Sequence, residues 1–213
     1  MNFSKETMLL YAVTDSRWTG EQTLYAQVEA ALKGGVTCVQ LREKHLSNEA
    51  FLAEALELKE LCHRYGVPLL INDNAEIALA SQADGVHVGQ SDMAAAAARA
   101  LLGPDKIVGV TARTVEQAKA AEAAGASYLG SGAVFGSTTK ADARPLDHAV
   151  LKQITQAVSI PVVAIGGITQ ENLPRLRGTG VDGVALVSTI FSAPDIEGKC
   201  RELKALSQDM VKP

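Results

Sequence analysis

The sequence predicts an α/β fold, a single (β/α)8 TIM barrel spanning residues 1–213, on three observations. Short β-rich apolar runs alternate with longer segments of helical period, the pattern of a parallel sheet with crossover helices. The runs number eight, as a closed barrel needs. Polar and charged residues collect where those runs end, the face on which barrel enzymes place their chemistry.

In chain order the strands are expected at Leu9–Thr14, Cys38–Arg42, Leu69–Asn72, Gly85–Val88, Ile107–Thr111, Tyr128–Ser131, Val162–Ile165 and Val184–Val187. Helices are expected in most of the gaps, at Gln22–Lys33, Asn48–Tyr65, Asp92–Leu102, Val115–Ala124, Leu146–Val158 and Ile196–Leu206. Glycines in Lys33-Gly34-Gly35, Tyr65-Gly66-Val67-Pro68 and Ala124-Gly125-Ala126 punctuate the helix-to-strand turns, where a left-handed residue is useful. A doubly wound open sheet would alternate in the same way, but its G-x-G-x-x-G turn is missing after the first strand, which reads Tyr11-Ala12-Val13-Thr14-Asp15.

Composition narrows the function. A content of 47% hydrophobic residues suffices for one buried core, and no Pro/Gly/Ser-rich or like-charged block marks a linker. The net charge of -4 gives no general attraction for nucleic acid or an anionic membrane, so phosphate binding has to come from a local site. Aromatic residues, at 4%, are too few for a base-stacking platform. No apolar run approaches the roughly 20 residues of a membrane span, and the first residues lack signal-peptide character, so a cytoplasmic location is expected. Cys38, Cys62 and Cys200 show neither metal spacing nor a disulfide framework and read as reduced packing residues.

The second strand runs into Gln40-Leu41-Arg42-Glu43-Lys44, where alternation sends Gln40, Arg42 and Lys44 to one side. An arginine fork and a lysine point charge suit phosphate oxygens, although charges after a strand also serve as a solvated loop. Asp73 and Asp92 follow the third and fourth strands. A hard cation such as Mg2+ takes one or two carboxylates together with substrate phosphate, and both aspartates equally suit N-capping of the helix-like segments that follow them. His87, within the fourth strand, fits a hydrogen-bonded structural role better than a ligand role.

After the sixth strand, Ser137-Thr138-Thr139-Lys140 offers hydroxyls and a cation, or a plain polar loop. The seventh strand ends in Gly166-Gly167 and the eighth in Val187-Ser188-Thr189. Loops at these two positions of a barrel frequently bind phosphate through backbone N–H groups, and the alternative is an ordinary turn. Two anion sites on one face suit a transfer in which diphosphate leaves one substrate while a monophosphate anchors the other.

These motifs, from Leu10-Tyr11-Ala12-Val13-Thr14-Asp15 through Gln40-Leu41-Arg42-Glu43-Lys44, Ile71-Asn72-Asp73, Ala83-Asp84-Gly85-Val86-His87-Val88-Gly89-Gln90-Ser91-Asp92, Thr138-Thr139-Lys140 and Ala164-Ile165-Gly166-Gly167-Ile168 to Val187-Ser188, resemble the thiamin phosphate synthase family over almost the whole chain. The resemblance implies two small-molecule substrates, 4-amino-2-methyl-5-(diphosphomethyl)pyrimidine and a methylthiazole bearing a phosphoethyl chain or its carboxylated form. It implies that Gln40, Arg42, Lys44 and Asn72 hold the pyrimidine diphosphate, that Asp73 and Asp92 bind Mg2+, and that Thr111 contacts the pyrimidine. Ser137, Thr139, Gly167, Val187 and Ser188 match positions around the thiazole phosphate, and Lys140 matches a lysine on the diphosphate. The implied reaction is dissociative, with Arg42, Lys44 and Lys140 stabilising the departing diphosphate. Whether the chain forms a homo-oligomer is left open.

Three departures stand out. Ala133 and Gly136 replace prolines usual in relatives, Thr111 replaces a common serine, and Ser137 replaces a common threonine. The alternatives are a thiazole tautomerase on the same barrel, which would not need the Gln40, Arg42, Lys44, Asn72, Asp73 and Asp92 set, and a silent thiazole phosphate binding protein.

Overall fold

A computed structural model describes residues 3–90, 93–136 and 145–212. Eight parallel strands close into a barrel in chain order: β1 Leu10–Val13, β2 Cys38–Leu41, β3 Leu69–Asn72, β4 Gly85–Val88, β5 Ile107–Thr111, β6 Tyr128–Gly132, β7 Val162–Ile165 and β8 Gly183–Leu186. Closure is made by β1 against β8, with Leu10 opposite Val184 and Ala12 opposite Leu186. The expected (β/α)8 barrel is therefore the fold, and four of the strands start and stop where the sequence places them.

The outer ring comprises α1 Leu24–Lys33, α2 Asn48–Arg64, α3 Ala75–Ala80, α4 Ala95–Leu102, α5 Val115–Ala123, α6 His148–Ala157, α7 Ser188–Phe191 and α8 Ile196–Met210. Capping side chains set several starts. Thr23, Ser47, Asn74, Thr114, Asp147 and Asp195 each accept a backbone N–H from the first turn. These caps move α1 and α6 inward from the expected Gln22 and Leu146, because the capping residue itself is not helical. Where the sequence names no helix, α3 and the 3-10 helix Leu173–Leu176 fill the gaps. Six and four residues are too few to display a helical period.

Two apolar layers hold the barrel. Val28, Leu58, Leu61, Leu129, Ile154 and Leu203 lie in the layer between strands and helices. Inside the barrel, Tyr11, Val13, Leu70, Tyr128 and Val163 form a second cluster with Met8 and Ile107. Cys38, Cys62 and Cys200 are buried and unbonded to one another, and burial pushes the Cys62 and Cys200 thiols up to about 12. They are packing residues, as expected.

One device recurs around the base. The residue immediately before each even-numbered strand accepts a backbone N–H from the odd strand preceding it. Thr37 takes Leu10 N, Asp84 takes Leu69 N, Ser127 takes Val108 N and Asp182 takes Val162 N, at 2.9 to 3.1 Å. A buried strand entrance needs such an acceptor for its first N–H groups. Because every strand pair is parallel, the polar C-terminal strand ends all emerge on the opposite face.

Candidate functional site

The site is assembled at the C-terminal face. β2 ends at Leu41, so Arg42 and Lys44 lie beyond the ladder and strand alternation does not control where they point. Each is directed instead by a carboxylate. Arg42 N donates to Thr14 Oγ1 at 2.9 Å, and Arg42 Nη1 is 3.4 Å from Asp15 Oδ2. Asp15 is buried, and its hydrogen bonds from Arg17, with Arg42 nearby, hold its carboxyl below the usual range. Lys44 Nζ meets Asp73 Oδ2 at 2.5 Å.

Asp73 has a φ of 63°, in the left-handed region, and its N–H donates to the His87 carbonyl at 2.8 Å. The N-cap of α3 is Asn74, whose Oδ1 accepts from Ile77 N at 2.9 Å. The capping residue of α3 is therefore Asn74 rather than Asp73. Among the described residues, no group of three or more His, Cys, Asp or Glu side chains is placed to hold a metal.

Gln40 belongs to the barrel interior. Its Nε2 donates to Tyr11 Oη at 2.6 Å, and Tyr11 Oη lies 2.8 Å from Tyr128 Oη. His87 lies between Tyr128 Oη, 2.8 Å from Nδ1, and Thr111 Oγ1, 3.0 Å from Nε2. Its hydrogen-bonded role agrees with the sequence expectation. Asn72 closes β3 directly opposite His87 in the ladder, and Thr111 closes β5.

On the far side, Gly167 has a φ of 65° and a Cβ there would stand 2.6 Å from the Phe135 carbonyl oxygen, so this turn requires glycine. Val187 is the N-cap of α7 and Ser188 its first residue. The two turns are joined, since Thr189 Oγ1 donates to the Ile168 carbonyl at 2.6 Å. Gly167, Val187 and Ser188 therefore share one corner of the mouth, where α7 starts. Asp92, Ser137, Thr139 and Lys140 lie outside the described residues.

Residues 10–190 match the family described as thiamine monophosphate synthase. The chain belongs to that family. It is 52% identical over 192 residues, 90% of this chain and 91% of the relative, to a thiamine-phosphate synthase of Clostridium acetobutylicum. It is 48% identical to that of Ruminiclostridium cellulolyticum, covering 94% and 95% of the two chains. Among solved structures, a thiamine phosphate pyrophosphorylase from Pyrococcus furiosus superposes with a TM-score of 0.90 at 34% identity, over 98% of this chain and 99% of the other. A Streptococcus mutans protein called KGPDC, at 15% identity and a TM-score of 0.67, shares the fold alone.

Within this member of the thiamine monophosphate synthase family, sequence reasoning missed three side chains. Asp15 orients Arg42, and Tyr11 and Tyr128 link Gln40 to His87. Asp15 and Tyr11 stand inside the motif Leu10-Tyr11-Ala12-Val13-Thr14-Asp15, which is a signal for them. Tyr128 carried none, because a tyrosine opening a strand reads as ordinary core.

Proposed function

We propose that the chain is a transferase that makes thiamin phosphate by joining the pyrimidinylmethyl group of 4-amino-2-methyl-5-(diphosphomethyl)pyrimidine to the nitrogen of 4-methyl-5-(2-phosphoethyl)thiazole or its 2-carboxy form, releasing diphosphate. The observation that carries the reading is a pair of cations, Arg42 and Lys44, held by Asp15 and Asp73 at the mouth of a barrel whose relatives bear the synthase name.

In this reading Gln40, Asn72 and Thr111 hold the pyrimidine portion. Arg42, Lys44 and Lys140 take the charge that develops on diphosphate as the carbon–oxygen bond breaks. Gly167, Val187 and Ser188, with Ser137 and Thr139, hold the thiazole phosphate so that its nitrogen faces the methylene carbon. No side chain acts as a nucleophile. Asp73 and Asp92 would hold Mg2+, which supplies charge neutralisation to the diphosphate. Asp73 fits that role, because its carboxylate offers oxygen donors at the mouth of the barrel beside a cationic partner.

The same proposal extends to a single catalytic domain over residues 1–213 and a cytoplasmic location, with small molecules rather than nucleic acid or membrane as partners. No helix among the described residues is long and apolar enough to cross a membrane. The test is to mix purified protein with both substrates, with Mg2+ or with EDTA, and read thiamin phosphate as fluorescent thiochrome. Product that depends on Mg2+ supports the whole reading. Folded protein that binds thiazole phosphate and forms no product refutes it.

A further inference from the structure

Five side chains from five strands form one unbroken hydrogen-bond chain through the barrel: Gln40 of β2, Tyr11 of β1, Tyr128 of β6, His87 of β4 and Thr111 of β5. Gln40, Tyr11 and Tyr128 are 4%, 1% and 0% exposed, so water cannot take up an unmatched donor there. The barrel makes room for the chain at Gly109, where a Cβ would stand 2.2 Å from Tyr128 Cζ.

The direction of the chain follows from the orientation of the Gln40 amide, whose Nε2 faces Tyr11, together with a count of protons. An amide nitrogen only donates, so the Tyr11 oxygen is an acceptor toward Gln40 Nε2. The one Tyr11 proton then goes to Tyr128, and the one Tyr128 proton goes to His87 Nδ1. With Nδ1 accepting, a neutral imidazole carries its hydrogen on Nε2 and donates it to Thr111 Oγ1. The Thr111 proton is the one directed out of the chain. The other tautomer would make Tyr11 accept twice and leave its own proton unmatched in the interior, an arrangement that buried hydroxyls avoid. Burial also holds both phenols well above their usual range, so they stay protonated.

We infer that this chain is a positioning device that locks His87 as the Nε2–H tautomer, and so presents Thr111 as a donor and Gln40 Oε1 as an acceptor to the bound pyrimidine. The identity of that ligand rests on the function proposed above. An aminopyrimidine offers amino hydrogens and lone pairs on its ring nitrogens, which match those two ends. The corresponding oxo-pyrimidine reverses the pattern and is disfavoured. Tyr11 and Tyr128 are positioning residues, acting through Gln40, His87 and Thr111.

The first measurement is 15N NMR of ligand-free protein labelled at histidine, which reports the His87 tautomer. Nε2–H is expected, and Nδ1–H overturns the inference. In Tyr128→Phe, His87 Nδ1 loses its donor, so a mixture of tautomers is expected. The KM for the pyrimidine diphosphate should rise about tenfold while that for the thiazole phosphate stays constant. Tyr11→Phe is read in the same way should Tyr128→Phe not fold, and an unchanged pyrimidine KM in the folded variant counts against the device. Wild-type protein that shows the Nε2–H tautomer but forms no thiamin phosphate defeats the functional reading alone, whereas Nδ1–H in an active enzyme defeats only the positioning chain.

Discussion

Lys44 Nζ donates to Asp73 Oδ2 at 2.5 Å, tying the loop after β2 to the first residue after β3. Neither partner is deeply buried, with side-chain exposures of 42% and 28%, so the contact adds little to stability. Its effect is to hold a carboxylate and an ammonium at one point of the mouth. Asp73→Asn should therefore lower kcat for thiamin phosphate formation about 100-fold, an effect of the size expected for loss of one electrostatic group, while the thermal midpoint hardly moves. Steady-state kinetics with a melting curve checks this. Normal turnover in Asp73→Asn would remove the residue from the proposed metal site.

Asp15 acts one layer deeper. It is 4% exposed and accepts from Arg17 Nε and Nη2 as well as facing Arg42. Its folded pKa is lowered, so its contribution is present above the unfolded carboxyl range and is lost as pH falls through the folded value. Asp15→Asn should cost about 2 kcal/mol at pH 7, with the gap to wild type closing in acid, and should raise the KM for the pyrimidine diphosphate because Arg42 loses its guide. Urea unfolding from neutral to acidic pH tests the first part. A constant gap across that range would contradict the assignment.

Ser188 opens α7 beside the Gly167 turn. Ser188→Ala removes one hydroxyl and leaves the backbone N–H groups, so the KM for the thiazole phosphate should rise about tenfold with kcat preserved. If instead the pyrimidine KM alone changes, the phosphate corner has been misplaced.

Glu54 of α2 provides a test by stability rather than by turnover. Its Oε2 is buried without a hydrogen-bond partner among the described residues, and burial, with Glu43 and Glu57 nearby, pushes its carboxyl up to about 7. A raised folded pKa favours the folded state below the unfolded value near 4.5, and that advantage is lost as pH rises toward 7. Glu54→Gln should thus be more stable than wild type at pH 8, by about 1 kcal/mol after allowing for solvent screening, with the gain vanishing near pH 4. Thermal melts at the two pH values decide it, and equal gains at both would show that Glu54 is not the titrating group.

The barrel was legible because each β/α unit carries its own local signal, and β3, β4, β5 and β7 fall where their apolar runs lie. The ends of other elements shifted for local reasons, as when Asp147 caps α6 rather than joining it. The site was legible as a set of strand-end residues but not as a set of contacts. Gln40, Arg42 and Lys44 read as one alternating trio, yet they turn to Tyr11, Asp15 and Asp73 respectively. Alternation holds only inside a ladder, and β2 stops at Leu41.

The sequence by itself determined the number and order of the strands, the face that carries the polar residues, and the family, because periodicity and motif order are properties of the chain before it folds. Only the tertiary structure decided which polar groups meet. Tyr11 and Tyr128 are 117 residues apart and share a hydrogen bond because closure of the barrel turns β1 and β6 to face across one narrow interior. Their protons then have nowhere to go but along the chain to His87, a constraint that arises only when water is excluded.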